Sequence, residues 1–165
     1  MDKIRSGQSF LYRENGLNST VLDIRMKNKI RGDYLQRALT VTLQRYPYMA
    51  SKLVEKAGDC YLLESRISMN VVKTHNLRQL GSMSTGYHLV DVTYWDNRIC
   101  IAFHHALCDG RGIKPFLETL VYYYCCLRYN REFDSSGIRL SEDALLPGET
   151  HEPIGDSLLK VDQNK

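Results

Sequence analysis

Apolar and polar residues alternate from Thr20 to Met26 (Thr-Val-Leu-Asp-Ile-Arg-Met), the period of a strand with one buried face. The period then changes. After Asp33, an N-cap residue by type, Leu35, Ala38, Leu39, Thr42 and Leu43 fall on one face at three- and four-residue spacing, which predicts a helix to about Tyr46. Pro47 ends it, since the residue before a proline is biased away from helix. Tyr48 to Glu55 and Cys60 to Glu64 flank Lys56-Ala57-Gly58-Asp59 and predict a hairpin. Val71 to Lys73 adds a short strand, and Leu77 to Gly86, with its glycines and serines, reads as a loop. A second hairpin follows, with strands at His88 to Trp95 and Arg98 to His104 around a turn at Asp96-Asn97. On its return strand Ile99, Ile101, Phe103 and His105 share one face, while Cys100, Ala102 and His104 share the other. Both sets are largely apolar, which predicts a central strand covered on both sides. A helix that starts at or just before Pro115 and runs to about Tyr129 completes the body. Helices beside a sheet give an α+β (mixed α/β) two-layer sandwich.

The composition changes once, near Arg131. Residues 132–165 are rich in Asp, Glu, Ser, Gly and Pro and read as an acidic, linker-like tail, disordered in part, beyond a body spanning residues 1–131. The net charge of +3 hides this division: the body holds 19 Lys and Arg against 11 Asp and Glu, and the tail 3 against 8. The cations of the body are scattered singly, without a dense cluster, so nucleic acid is not an expected partner. No apolar run reaches the roughly 18 residues that a membrane span needs, and the polar opening residues lack the apolar core of a secretion signal. A cytoplasmic setting is the default expectation. The five cysteines (Cys60, Cys100, Cys108, Cys125, Cys126) show no Cys-x-x-Cys spacing, which fits free thiols better than a zinc site.

The chemistry concentrates in His104-His105-Ala106-Leu107-Cys108-Asp109-Gly110. Two histidines end a buried strand, and strand alternation sends them to opposite sides, so one at most faces a given cleft. Asp109 is a tight loop away and can fold back to fix the geometry, while Gly110 can take backbone angles closed to other residues. A neutral imidazole held in this way suits a general base. The plainer reading is a hydrogen-bonded core histidine, the commoner fate of a histidine at a strand end. A metal site is weaker still, because alternation separates His104 from His105 and no further ligand stands at a recognisable spacing. Gly110-Arg111-Gly112 lacks the third glycine of a dinucleotide fingerprint, and residues 81–86 lack the serine-hydrolase elbow.

The seven residues match the His-His-x-x-x-Asp-Gly signature and so resemble the chloramphenicol acetyltransferases, nonribosomal peptide condensation domains and related alcohol acyltransferases. Leu43-Gln-Arg-Tyr-Pro47 is similar to a helix end at the same place in condensation-like proteins. The resemblance covers most of residues 10–131 and implies one N-terminal lobe of a chloramphenicol-acetyltransferase-like fold. It implies that His105 takes the proton from an acceptor hydroxyl or amine, which then attacks the thioester of acyl-CoA or of an acyl carrier. His104, Asp109 and Gly110 would support the site without touching the substrate. The co-substrate would be acyl-CoA, with no covalently bound cofactor and no metal. Family members have two lobes with the site between them, and the Asp-Phe-Gly-Trp-Gly-type segment of the second is absent here. A second lobe or self-association is therefore expected for activity. The alternative is a non-catalytic binding or interaction lobe that keeps the motif because it supports the fold.

Overall fold

A computed structural model describes residues 2–3, 19–108, 110–146 and 149. Asp2–Lys3 forms β1 and the alternating segment Ser19–Arg25 forms β2. Gly32–Arg45 forms α1, whose buried residues Leu35, Ala38, Leu39 and Thr42 follow the predicted stripe; its fifth member, Leu43, is only partly buried, and Arg45, outside the stripe, is buried. Its start differs from the expectation that Asp33 caps it. Arg31 is the extended residue before the helix and supplies no side-chain cap, and Asp33 lies inside the first turn. Tyr94 explains the choice: its ring closes over Gly32, where a Cβ would collide with the phenol, so a residue without a side chain opens the helix. The Asp33 carboxylate accepts from Arg31 Nε and Nη2 at 3.1 and 3.0 Å, which holds it below the usual carboxylate range.

A 3₁₀ turn at Pro47–Ala50 follows, so β3 begins at Ser51 rather than Tyr48. Proline with its fixed φ favours the first position of a helical turn, and Ser51 Oγ donates to the Tyr48 carbonyl at 2.6 Å to close it. β3 (Ser51–Lys56) and β4 (Asp59–Glu64) form the first hairpin, with Ala57 and Gly58 both at positive φ in the two-residue turn. With β1 they make a three-stranded sheet in the order β1-β4-β3.

β5 (Val72–Lys73), β6 (Val90–Trp95) and β7 (Arg98–His104) join β2 in a four-stranded sheet ordered β2-β7-β6-β5. β7 is the central strand, antiparallel to both neighbours, as its apolar run predicts. α2 spans Gly110–Tyr129, starting five residues before Pro115. The proline therefore lies in the second turn, where it can donate no hydrogen bond to the Arg111 carbonyl. Ile113, Phe116, Leu120 and Tyr124 recur at helical spacing on its buried face. With Leu35, Ala38 and Leu39 of α1 they cover one side of the sheet, against Val90, Val92, Ile99, Ile101 and Phe103. Helices on a sheet give the two-layer α+β architecture.

The other side of β7 is less apolar than the sequence pattern suggests. By register it carries His104, Ala102, Asp91, Thr93, Cys100, Asp23 and Arg98. The first four are buried, while the far end, with Arg98 and Trp95, is open. Of the acidic segment, residues 132–146 contain no helix or strand. They lie along α2 all the same: Thr119 Oγ1 donates to the Arg139 carbonyl (2.7 Å), and the Ser141 N–H donates to Tyr123 Oη (2.8 Å). The Glu149 carboxylate accepts from both terminal nitrogens of Arg45 at 3.0 Å and pairs with Arg139. Among the described residues no helix is long and apolar enough to cross a membrane.

Candidate active site

β7 delivers the two histidines to the edge of the sheet and its alternation separates them. His104 is the last residue of the strand and is wholly buried. Its backbone N–H donates to the Leu89 carbonyl at 2.9 Å, and its own carbonyl accepts from the Leu107 N–H at 3.0 Å. Its ring folds under the following turn, where Nδ1 accepts from the Ala106 N–H at 3.0 Å. A nitrogen that accepts carries no proton, so the neutral ring of His104 is protonated at Nε2. This is a core histidine bonded through Nδ1 to the turn, as in the plainer reading, and it shapes the turn that presents its neighbour.

His105 is the other case. It lies in the turn beyond β7 and is half-buried. Its ring meets Phe103 edge to face, with centroids 5.7 Å apart at 66°. Nε2 lies 2.8 Å from Thr20 Oγ1 of β2. The register that pairs Thr20 with Phe103 puts that hydroxyl on the same side of the sheet as the His105 ring. Sequence reasoning missed Thr20. Its strand was legible, but the pairing that sets it opposite a residue 83 positions away is tertiary.

Ala106 fastens the turn to the rest of the molecule, packing with Cys60, Leu53 and Leu62 of the first hairpin. Leu107 and Cys108 lean on the main core. Cys108 also faces Tyr48, whose phenol is pushed up to about 12, chiefly by burial and secondarily by Tyr46, with Cys108 adding to it. Asp109, expected to support the site, lies outside the described residues, and Gly110 is the first residue of α2. All five cysteines are thiols rather than disulfides.

A separate cleft of about 200 Å³ opens on the opposite side of the sheet, lined by Ile67, Met69, Val72, Arg78, Ser84 and Asp91 among others. Arg78, from the connection between β5 and β6, donates through Nε to Asp91 Oδ2 at 3.0 Å and pairs with Oδ1 through Nη2. His88 spans the same connection, with Nδ1 2.8 Å from the Thr85 carbonyl and Nε2 2.9 Å from that of Ile67. These groups are tied to one another and hold the loop. They lie away from His105.

No protein-family model matches the sequence, and no curated protein matches it. Solved structures do. The chain is similar to polyketide synthase associated protein 5 from Mycobacterium tuberculosis at 18% identity and a TM-score of 0.63, covering 99% of this chain and 41% of that one. It is similar to a variant of the starter condensation domain of rhizomide synthetase in complex with C8-CoA, at 10% identity and a TM-score of 0.61, over 79% of this chain and 37% of the other. The X-domain from teicoplanin biosynthesis matches at 12% identity and a TM-score of 0.59, over 96% and 38%. The chain spans about two-fifths of the length of these proteins. At these identities the likeness is one of fold: the chain has a chloramphenicol-acetyltransferase-like, condensation-domain fold over the part that it shares with them.

Proposed function

We propose that this chain is a lobe of an acyltransferase in which His105 is the general base. The observation that carries the reading is the placement of His105: half-buried at the end of the central strand, its ring held by Phe103 and Thr20, while His104 is spent on the turn. In this reading an imidazole nitrogen takes the proton of an acceptor hydroxyl or amine as that atom attacks the thioester carbonyl. The C–S bond then breaks, and the departing sulfur takes the proton back from the imidazolium. Asp109 and Gly110 support the turn. An acyl-CoA donor is favoured by the structural likeness to a starter condensation domain solved with C8-CoA. A second lobe, or a second copy of the chain, would close the site, since the chain matches only about two-fifths of the proteins it resembles. Free thiols fit a cytoplasmic setting.

The test is acyl transfer from acetyl-CoA and C8-CoA to a panel of alcohols and amines, followed by mass spectrometry, with His105→Ala in parallel. Product that falls by a factor of about 10² or more in the variant, the scale of a lost general base, supports the reading. Product that is unaffected by the substitution overturns it. No product from either chain, even at concentrations where it self-associates, favours the non-catalytic binding lobe.

A further inference from the structure

Arg45 closes α1 with a wholly buried guanidinium, a group that is costly to hold away from water without a counterion. Its anion comes from far along the chain. The Glu149 carboxylate, itself mostly buried, accepts from Nη1 and Nη2 at 3.0 Å each and also pairs with Arg139. The segment that carries Arg139 is tied along α2. Tyr122 Oη donates to the Phe133 carbonyl at 3.4 Å, Thr119 Oγ1 to the Arg139 carbonyl at 2.7 Å, and the Ser141 N–H to Tyr123 Oη at 2.8 Å. α2 begins at Gly110, the last residue of the motif, so this segment rests on the helix that leaves the motif turn.

Contacts continue from this ion pair to the turn itself. Arg45 Cζ lies 4.8 Å over the Tyr46 ring, and Tyr46 meets Tyr48 and Phe116 edge to face at 6.2 and 6.0 Å. Tyr48 stands within electrostatic reach of Arg45, Arg139 and Cys108 together. Leu107 and Cys108 pack against the core to which Tyr46 and Phe116 belong. If the segment lifts, the guanidinium loses its anion, and it cannot turn towards water without disturbing the tyrosine under it. We infer that residues 132–146 together with Glu149 form a strap that braces the motif turn, and that Glu149 fastens it by supplying the counterion of Arg45. A strap held by one ion pair and a few phenol and hydroxyl bonds opens as a unit more readily than the apolar layer beneath it. Its closure therefore sets how firmly the turn beside His105 is held. Only the bearing of this on acyl transfer rests on the general-base reading.

The test uses the full chain and follows amide hydrogen exchange by NMR in the wild type, Glu149→Gln and Tyr123→Phe. The first variant keeps the shape of Glu149 and removes its charge. The second releases Ser141 without touching Arg45. In Glu149→Gln the Ser141 N–H should exchange about tenfold to a hundredfold faster, the scale of a lost charge-assisted hydrogen bond. In Tyr123→Phe the Ile138 N–H, bonded to the Ser135 carbonyl within the strap, should quicken about threefold to tenfold, the scale of a neutral one. Both variants should also quicken the Ala106 and Leu107 N–H groups of the motif turn, by a smaller factor. The N–H groups of Met26 and Thr74, at the far end of the sheet, should be unchanged. A strap that loosens while Ala106 and Leu107 stay protected overturns the bracing. So does an equal acceleration everywhere, which would make Glu149 a general stabiliser, or a strap that neither variant loosens. If Glu149→Gln does not fold, Tyr123→Phe decides alone. The readout needs no turnover, so a chain that shows this coupling and transfers no acyl group would count against the general-base reading and leave the strap standing.

Discussion

On the helix side of the four-stranded sheet, Val90, Val92, Ile99, Ile101 and Phe103 meet Leu35, Leu39, Ile113, Phe116 and Leu120 in one continuous apolar layer. On the opposite side the same strands present Asp91, Thr93, Cys100 and His104, and each of the buried polar groups there relies on a particular partner. The first side is stabilised by area, which is insensitive to direction. The second is held by directional bonds: Asp91 to Arg78, and His104 Nδ1 to the Ala106 N–H. His105 stands where the first side reaches its edge, with an apolar wall in Phe103 and a polar contact in Thr20. The proposed base would draw on that mixture, since burial holds a ring still while a half-exposed edge would admit an acceptor.

The largest effects should separate the two sides by mechanism. Phe116→Ala, at the centre of the apolar layer, should cost about 3–5 kcal/mol by urea unfolding, the transfer and cavity terms together. No second substitution nearby should return most of that loss. Asp91→Ala should cost about 3 kcal/mol, because it strands the mostly buried Arg78 guanidinium, at the low end of the range since Arg78 keeps some solvent. Here a partner change should help. Asp91→Leu with Arg78→Met should fall within about 1 kcal/mol of wild type, since an ion pair replaced as a unit leaves no orphan charge. A double variant no better than Asp91→Ala would mean that the opposite side is held by packing, and the contrast would collapse.

The same contrast explains what the sequence made legible. The apolar stripes of both helices, both hairpins and the central place of β7 all follow from periodicity, because area burial leaves a periodic trace. The directional bonds leave none. Nothing local in Thr20, Asp91 or Arg78 marks them as partners of particular residues, since strand order sets their neighbours. The start of α1 at Gly32 instead of Asp33 has the same origin, in a tyrosine 62 residues away that closes over it. Composition separated residues 132–165 from the body, yet Glu149 reaches the wholly buried guanidinium of Arg45 in α1, a contact that acidity alone does not specify. At the site, His104 and His105 were legible as opposed residues, and the resemblance chose between them. The Thr20 contact came only with the fold.

A smaller effect should distinguish the adjacent histidines. His104→Ala removes a buried acceptor for the Ala106 N–H and should cost about 1–3 kcal/mol, the penalty of a buried group left unpaired. His105→Ala, at the half-exposed edge, should cost about 1 kcal/mol or less while lowering transfer by a factor of about 10² or more. Equal losses of stability would make His105 a second core histidine and weaken its assignment as the base.

The smallest effect compares the two sides by pH. Burial raises the Cys100 thiol above its ordinary 9.0, with the Thr93 hydrogen bond and Arg98 pulling the other way. On the helix side, burial likewise raises the Cys125 thiol, and the Tyr48 phenol rises from 10.0 to about 12. Each group favours its neutral form when folded and ionises more readily unfolded. Its contribution is therefore present in full below the unfolded value and is lost as pH rises through the folded one. The urea midpoint should thus fall from about pH 9 upward as the thiols titrate, and again between 10 and about 12 through Tyr48. Cys100→Ala should flatten only the earlier fall, and only in part, because Cys125 still contributes. Tyr48→Phe should flatten the later one in part, because the Tyr124 phenol, also raised by burial, still contributes. If Cys100→Ala leaves the earlier slope untouched, Cys100 is as well hydrated in the native chain as in the unfolded one. The opposite side would then be open to water as far as Thr93, and its stability would rest on the Asp91–Arg78 pair and His104 alone.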